Sequence, residues 1–173
     1  MKVLTTQRLF LKPITMEHCT ERYLSWLNDY EVCKYLETKP PYTMEKLRVF
    51  IESIVSQDIL MWAIHTKETD IHIGNIKIDP ITGDKQGEYG ILIGDTTQWG
   101  KGFAQEVSQA VIDYCFHTLL LKKITLGVIV ENKSAIKLYK KLGFEVEKEL
   151  YNQKSSDGTI CNILRMYLLN KVI

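Results

Sequence analysis

Apolar residues recur along this chain with two periods, and the switches between them mark out its elements. Arg8 to Ile14 alternates weakly and predicts a first strand, whereas Met16 to Asn28 carries Cys19, Tyr23, Leu24 and Leu27 at helical spacing. Pro40-Pro41 then breaks the chain. Thr43 precedes a second helical stripe of Leu47, Phe50, Ile51 and Ile54. Leu60 to His65, Ile71 to Ile78 and Tyr89 to Ile93 read as three strands joined by short polar stretches, a meander. From Phe103 to Leu121 the period is helical for about five turns. Ile124 to Val130 is a β-branched strand, Ser134 to Leu142 a short helix stopped at Gly143, and Phe144 to Tyr151 with Ile160 to Leu169 a hairpin around SSDG. No repeat or linker interrupts this order, so residues 1–173 are expected to form a single domain.

Bulk properties narrow the function. A chain of 173 residues suits one core, and 45% hydrophobic with 25% charged residues is ordinary globular composition. A net charge of +1 gives no support to a nucleic-acid binder relying on a basic surface. Cys19, Cys33, Cys115 and Cys161 are widely spaced, which is neither a zinc pattern nor a disulfide scaffold, and reduced thiols are expected. No segment reads as a signal peptide or a membrane span, so a cytoplasmic protein without a membrane partner is expected. There the sequon Asn132-Lys133-Ser134 has no meaning. His18, His65, His72 and His117 are scattered with no metal-like spacing; they receive no role, and no metal is expected. G-x-S-x-G is absent.

The stretch QWGKGFAQE, residues 98 to 106, raises the chemistry. It places two glycines and a lysine between an expected strand and an expected helix. N–H groups in the first helical turn lack internal partners and carry partial positive charge, and glycines let a phosphate reach them. A P-loop fails: Gly94 lies one residue too far upstream of Gly100-Lys101, and Gly102 stands where the metal-binding hydroxyl belongs. A dinucleotide fingerprint fails as well, because position 105 is Gln and no βαβ unit surrounds the glycines.

Trp99-Gly100-Lys101-Gly102-Phe103-Ala104 resembles motif A of the GCN5-related N-acetyltransferases, [RQ]-x-x-G-x-[GA], at Gly102 and Ala104. Trp99 departs from position one and is similar to the W-G-x-G-[YF]-A-x-E variant of the subgroup resembling ribosomal-protein N-terminal acetyltransferases. Asn132 to Phe144 resembles motif B, N-x-x-[AS]-x-x-x-Y-x-x-x-G-F, at every fixed position. TQRLFLKPIT and TERYLSWLNDYEV are similar to the opening of the same subgroup. The resemblance implies an α/β fold with a mixed, mostly antiparallel sheet, splayed where acetyl-coenzyme A enters, and helices on both faces.

The resemblance also implies roles. Backbone amides of Trp99 to Ala104 hold the pyrophosphate of acetyl-coenzyme A, so the side chain at position 99 is free to vary. Ile91, Leu92 and Ile93 lie on a bulged strand whose free backbone groups pair with the pantetheine arm and face the thioester oxygen. Tyr139 protonates the leaving thiolate; a phenol with an ordinary pKa near ~10 is protonated at neutral pH. Glu88 is the candidate general base, and Asn132 contacts coenzyme or acceptor, or simply ends the strand. Glu106 complements the helix dipole. Trp26, Asp29, Tyr30 and Tyr42 are candidates for one wall of the acceptor site. The expected reaction is direct transfer to a primary amine, with a protein or peptide N-terminus as acceptor. A nucleotide-linked amino sugar is the alternative, and a non-catalytic acyl-coenzyme A-binding module the reading from another class. An exposed edge strand beside the C-terminal hairpin could pair two copies into a homodimer.

Overall fold

A computed structural model describes residues 1–155 and 157–171. Its eight strands form one sheet in the order β1-β2-β3-β4-β5-β6-β8-β7. The strands are β1 (Leu4–Thr5), β2 (Leu9–Pro13), β3 (Leu60–Thr66), β4 (His72–Ile81), β5 (Gln86–Ile93), β6 (Lys123–Ile129), β7 (Glu145–Lys154) and β8 (Ile160–Leu169). The helices are α1 (Glu21–Leu27), α2 (Tyr30–Cys33), α3 (Met44–Ser56), α4 (Phe103–His117) and α5 (Lys133–Lys141). Neighbouring strands are antiparallel except for β5 and β6, which α4 joins as a crossover to run parallel.

Alternation along the strands builds a core on each face. Trp62 and Ile64 of β3 join Ile76, Ile124, Leu126 and Met166 beneath Val107, Val111 and Cys115 of α4. Met61 and Ala63, between them in sequence, face the other way and meet Tyr23, Trp26 and Leu27 of α1 with Leu47, Ile51 and Ile54 of α3. Full burial of each such aliphatic chain stabilises the fold by on the order of 2 kcal/mol. The seam between the layers falls at β5: Ile91 and Ile93 pack on the α4 side, Leu92 on the α3 side.

Several boundaries differ from the sequence expectation for local reasons. Met16 to Asn28 is not one helix: Met16–His18 forms a 3₁₀ turn and α1 starts afresh at Glu21, where Thr20 accepts from the Tyr23 amide. The central helix ends at His117, because Leu120 takes φ 55° and Leu121 donates back to the Cys115 carbonyl, turning the chain into β6. The pair β1, too short for periodicity to reveal, adds an edge to β2.

The histidines are not scattered in space. His18, His65 and His72 are all buried and share one cluster, with ring centroids 5.2–5.4 Å apart. The Thr15 amide donates to His18 Nδ1, so His18 Nε2 carries the proton it shares with His65 Nε2, 3.3 Å away. His65 Nδ1 donates to the Asp70 carbonyl at 2.9 Å. His72 Nε2 faces the Gly74 carbonyl and Asn75 Oδ1, both at 3.0 Å. No group of histidine, cysteine and acidic residues among the described residues is arranged to hold a metal ion. Burial, reinforced by the neighbouring imidazoles, pulls His72 down to about 3, and burial lowers His18 too. A base with a depressed folded pKa stabilises the fold above its unfolded pKa and loses that contribution as pH falls. Unfolding midpoints in denaturant should thus drop as pH falls from about 6.5 to 5, with His72 alone removing on the order of 2 kcal/mol by pH 5. A midpoint that stays constant across that window would contradict the assignment.

Candidate active site at the fork

Strands β5 and β6 share three rungs, Gln86 with Lys123, Gly87 with Ile124 and Glu88 with Thr125, and then part. Beyond Glu88 the sheet is a fork, and one limb is the Tyr89 to Ile93 segment. The bulge expected on this strand lies instead on β4, where the register shifts between Ile78 and Ile81 opposite Gly87 to Tyr89. Leu92 also differs from expectation. A Cβ built at Gly74 of β4 would lie 2.2 Å from the Leu92 carbonyl oxygen, so that oxygen is turned to β4. By alternation, Ile91 and Ile93 turn their backbone groups to the fork. The Ile93 carbonyl already accepts from Trp99 Nε1 at 2.8 Å. Position 99 is therefore no free choice, since its indole ties the loop to the end of β5.

The loop delivers the chain into α4 through Gly100 and Gly102, with φ of 75° and 79°. Side chains rarely adopt that conformation, which is why both are glycine. Gly102 is the N-cap and no side chain caps the helix, so the amides at its start point outward. The N-terminal strands brace this turn. Arg8 pairs with Glu106 at 2.7 Å, donates to the Lys101 carbonyl at 3.0 Å and lies over the Phe103 ring. Glu106 also accepts from Thr6 Oγ1 and the Arg8 amide, so it is a clamp rather than only a complement to the dipole. Partial burial pushes its pKa up, but Thr6 and Arg8 outweigh that and hold it below the usual carboxylate range. A second brace was hidden from sequence. Buried Tyr89 donates to Ser108 Oγ at 2.6 Å, and Ser108 donates to the Ala104 carbonyl at 2.5 Å, linking β5 to the first turn of α4.

Tyr139 of α5 comes to the same place. Its ring meets Tyr89 edge-on at 5.7 Å and lies against Phe144, one residue beyond the last shared rung. Burial pushes its pKa up to about 12, and among the described residues its hydroxyl has no hydrogen-bond partner. It is a neutral phenol with a proton to give. Asn132 caps α5 through Oδ1, which accepts from the Ala135 amide at 3.2 Å. Glu88 lies on the opposite sheet face, the face of Leu92. Arg165 and Thr125 bind its carboxylate. Burial raises its pKa, yet those donors win and keep it below the usual range, which makes it a poor base.

The expected acceptor wall separates into parts. Trp26 is buried and lies on Gly94 just past β5, where a Cβ would sit 2.1 Å from the indole. Tyr42 lines a cavity of about 530 Å³ with Glu37, Lys39, Pro41, Lys46 and Asp157. This cavity joins the α2–α3 connection, on one side of the fork, to the tip of the β7–β8 hairpin, on the other. Asp29 only caps α2, and Tyr30 is 71% exposed.

A fork in the sheet, an uncapped glycine loop on one limb and a free phenol at the vertex are the parts of an acyl-coenzyme A transferase. The model of the acetyltransferase (GNAT) domain family matches residues 8–145, and the chain belongs to that family. It is an acetyl-coenzyme A-dependent N-acetyltransferase. It is 32% identical to an uncharacterized N-acetyltransferase, p20, of Bacillus licheniformis over 99% of this chain and 98% of the relative. A GNAT-family acetyltransferase of Bacillus anthracis superposes with TM-score 0.87 at 19% identity, covering 98% and 99% of the two chains. Spermidine N-acetyltransferase of Vibrio cholerae, solved with CoA and spermine, superposes with TM-score 0.84 at 25% identity, covering 94% and 95%. No helix among the described residues is long and apolar enough to cross a membrane.

The Tyr89–Ser108–Ala104 chain makes a direct prediction. Ser108→Ala leaves the Tyr89 hydroxyl buried without a partner and should destabilise the protein by about 1–3 kcal/mol in denaturant unfolding. An unchanged midpoint would show that this link holds nothing.

Proposed function

We propose that the protein moves the acetyl group of acetyl-coenzyme A directly to the primary amine of a small soluble acceptor, within one ternary complex. The observation that carries this reading is the coincidence of three features at the fork: the open strand edge, the uncapped start of α4 and Tyr139. The amides from Gly102 onward suit the pyrophosphate, and the edge of Ile91 and Ile93 suits the pantetheine arm, with Asn132 Nδ2 left to meet either ligand. Leu92 contributes packing rather than backbone contacts.

The chemistry follows from the groups present. A neutral amine forms its bond to the acetyl carbon while a backbone N–H of β5 faces the carbonyl oxygen. The carbon–sulfur bond breaks, Tyr139 gives its proton to the departing sulfur, and the amine's surplus proton passes to solvent and returns to the phenolate. Nothing in this sequence requires an acyl-enzyme.

For the acceptor, the candidate site is the cavity between the 37–46 segment and the hairpin tip. Its lining mixes Glu37 and Asp157 with Lys39 and Lys46 around Tyr42. Mixed charge favours an acceptor that carries an anionic group beside its amine, such as an amino acid or a nucleotide-linked amino sugar, over a purely cationic polyamine. The Vibrio cholerae relative is named for spermidine, itself a small molecule, which weighs against a protein N-terminus as acceptor.

Thiol release from acetyl-coenzyme A, measured across amino acids, nucleotide-linked amino sugars, polyamines and N-terminal peptides, tests this. Turnover is expected with a small amine bearing negative charge, and Tyr139→Phe should lower kcat by roughly a hundredfold while CoA still binds. Turnover with peptides alone would overturn the acceptor assignment, and a fully active Tyr139→Phe would overturn the proton donor.

A further inference from the structure

Three strands converge on one carboxylate at the vertex of the fork. Glu88 and Thr125 form the last rung that β5 and β6 share, and Thr125 Oγ1 donates to Glu88 Oε2 at 2.5 Å. Arg165 stands on β8 opposite Gly127 of β6 and reaches across it. Its Nη1 and Nη2 each donate to a separate oxygen of Glu88 at 2.7 Å. Gly127 leaves room for the crossing, because a Cβ there would lie 3.0 Å from Arg165 Nη1 and 3.3 Å from Ile163 Cγ2. Both charged side chains are largely withdrawn from solvent, at 26% exposure for Arg165 and 31% for Glu88. Neither Arg165 nor Gly127 belongs to either motif.

We propose that Arg165 is a positioning residue for acetyl transfer: through Glu88 and across Gly127 it pins the vertex of the fork and so sets the spacing of the strand edges that take the pantetheine arm. The proposal rests on the acetyl-coenzyme A reading above, and it assigns Glu88 to this staple rather than to proton transfer. Geometry supports both halves. Two parallel N–H bonds fix orientation as well as distance, so β8 cannot rotate against β5 without breaking one. A carboxylate engaged by three donors is held below the usual carboxylate range and is a weaker base. The backbone ladder between β5 and β6 ends at this rung, so no backbone pairing between those two strands sets their spacing from here outward.

The test uses the full chain with Arg165→Met, Arg165→Lys and Glu88→Gln. CoA affinity is read by calorimetry, and kcat and KM for acetyl-coenzyme A are read across pH. Arg165→Met should weaken CoA binding and raise KM by roughly ten- to a hundredfold, with a smaller fall in kcat. Arg165→Lys, which keeps the charge but makes one bond, should fall between. Glu88→Gln should follow the same pattern, raising KM without removing the acid limb of the pH profile. If Arg165→Met does not fold, Gly127→Ala, which pushes the guanidinium aside, carries the same expectation. Arg165→Met binding CoA as tightly as the unsubstituted chain would overturn the proposal. So would Glu88→Gln losing kcat and the acid limb at constant KM, which would make Glu88 the base. An unsubstituted chain that binds no CoA would instead overturn the acetyl-coenzyme A reading beneath it.

Discussion

The structure depends on a ladder that stops. Strands β5 and β6 pair over three rungs, and everything at the site follows from their separation beyond Glu88. Unpaired backbone groups inside a sheet are costly unless something meets them, so a fork of this kind is stable only if its limbs are held from outside. Each limb is. Tyr89 is tied through Ser108 to α4, Ile93 through its carbonyl to Trp99, and the vertex by Glu88, Thr125 and Arg165. The opening is an enforced geometry, not slack in the sheet.

The two cores divide the labour. The layer beneath α4 and α5 carries the glycine turn and the phenol, and the layer beneath α1 and α3 carries Trp26 and the cavity-lining segment. Because β5 belongs to both, with Ile91 and Ile93 on one side and Leu92 on the other, a ligand lying in the fork passes from the first layer to the second. The donor of the acyl group and its acceptor can thus approach from opposite faces. The histidine cluster lies against the second layer, where His72 packs edge-on against Trp26 at 4.9 Å.

Much of this was legible in the sequence, for a physical reason. Gly100, Gly102 and Gly143 punctuate local backbone that only glycine adopts easily, and the helical and strand periods on either side are local as well. Those signals located the loop, the central helix and Tyr139. What stayed hidden depends on contacts between residues far apart in the chain. His18 meets His65 across 47 positions, Glu88 meets Arg165 across 77, and Arg8 meets Glu106 across 98. No spacing rule brings such pairs together. The same limit hid the partners of Glu88, which are on strands the sequence could list but not place. The split of the first helix at Thr20 was visible in principle, since a threonine three residues before the apolar pair Tyr23-Leu24 is an N-cap signal.

The measurement that tests the central claim most directly is backbone amide exchange with and without acetyl-coenzyme A. The account predicts new protection at the fork-facing amides of Ile91 and Ile93 and at Gly102 to Ala104, with the outer strand β7 unchanged. Binding without protection on β5, or protection confined to the sheet edges, would contradict it.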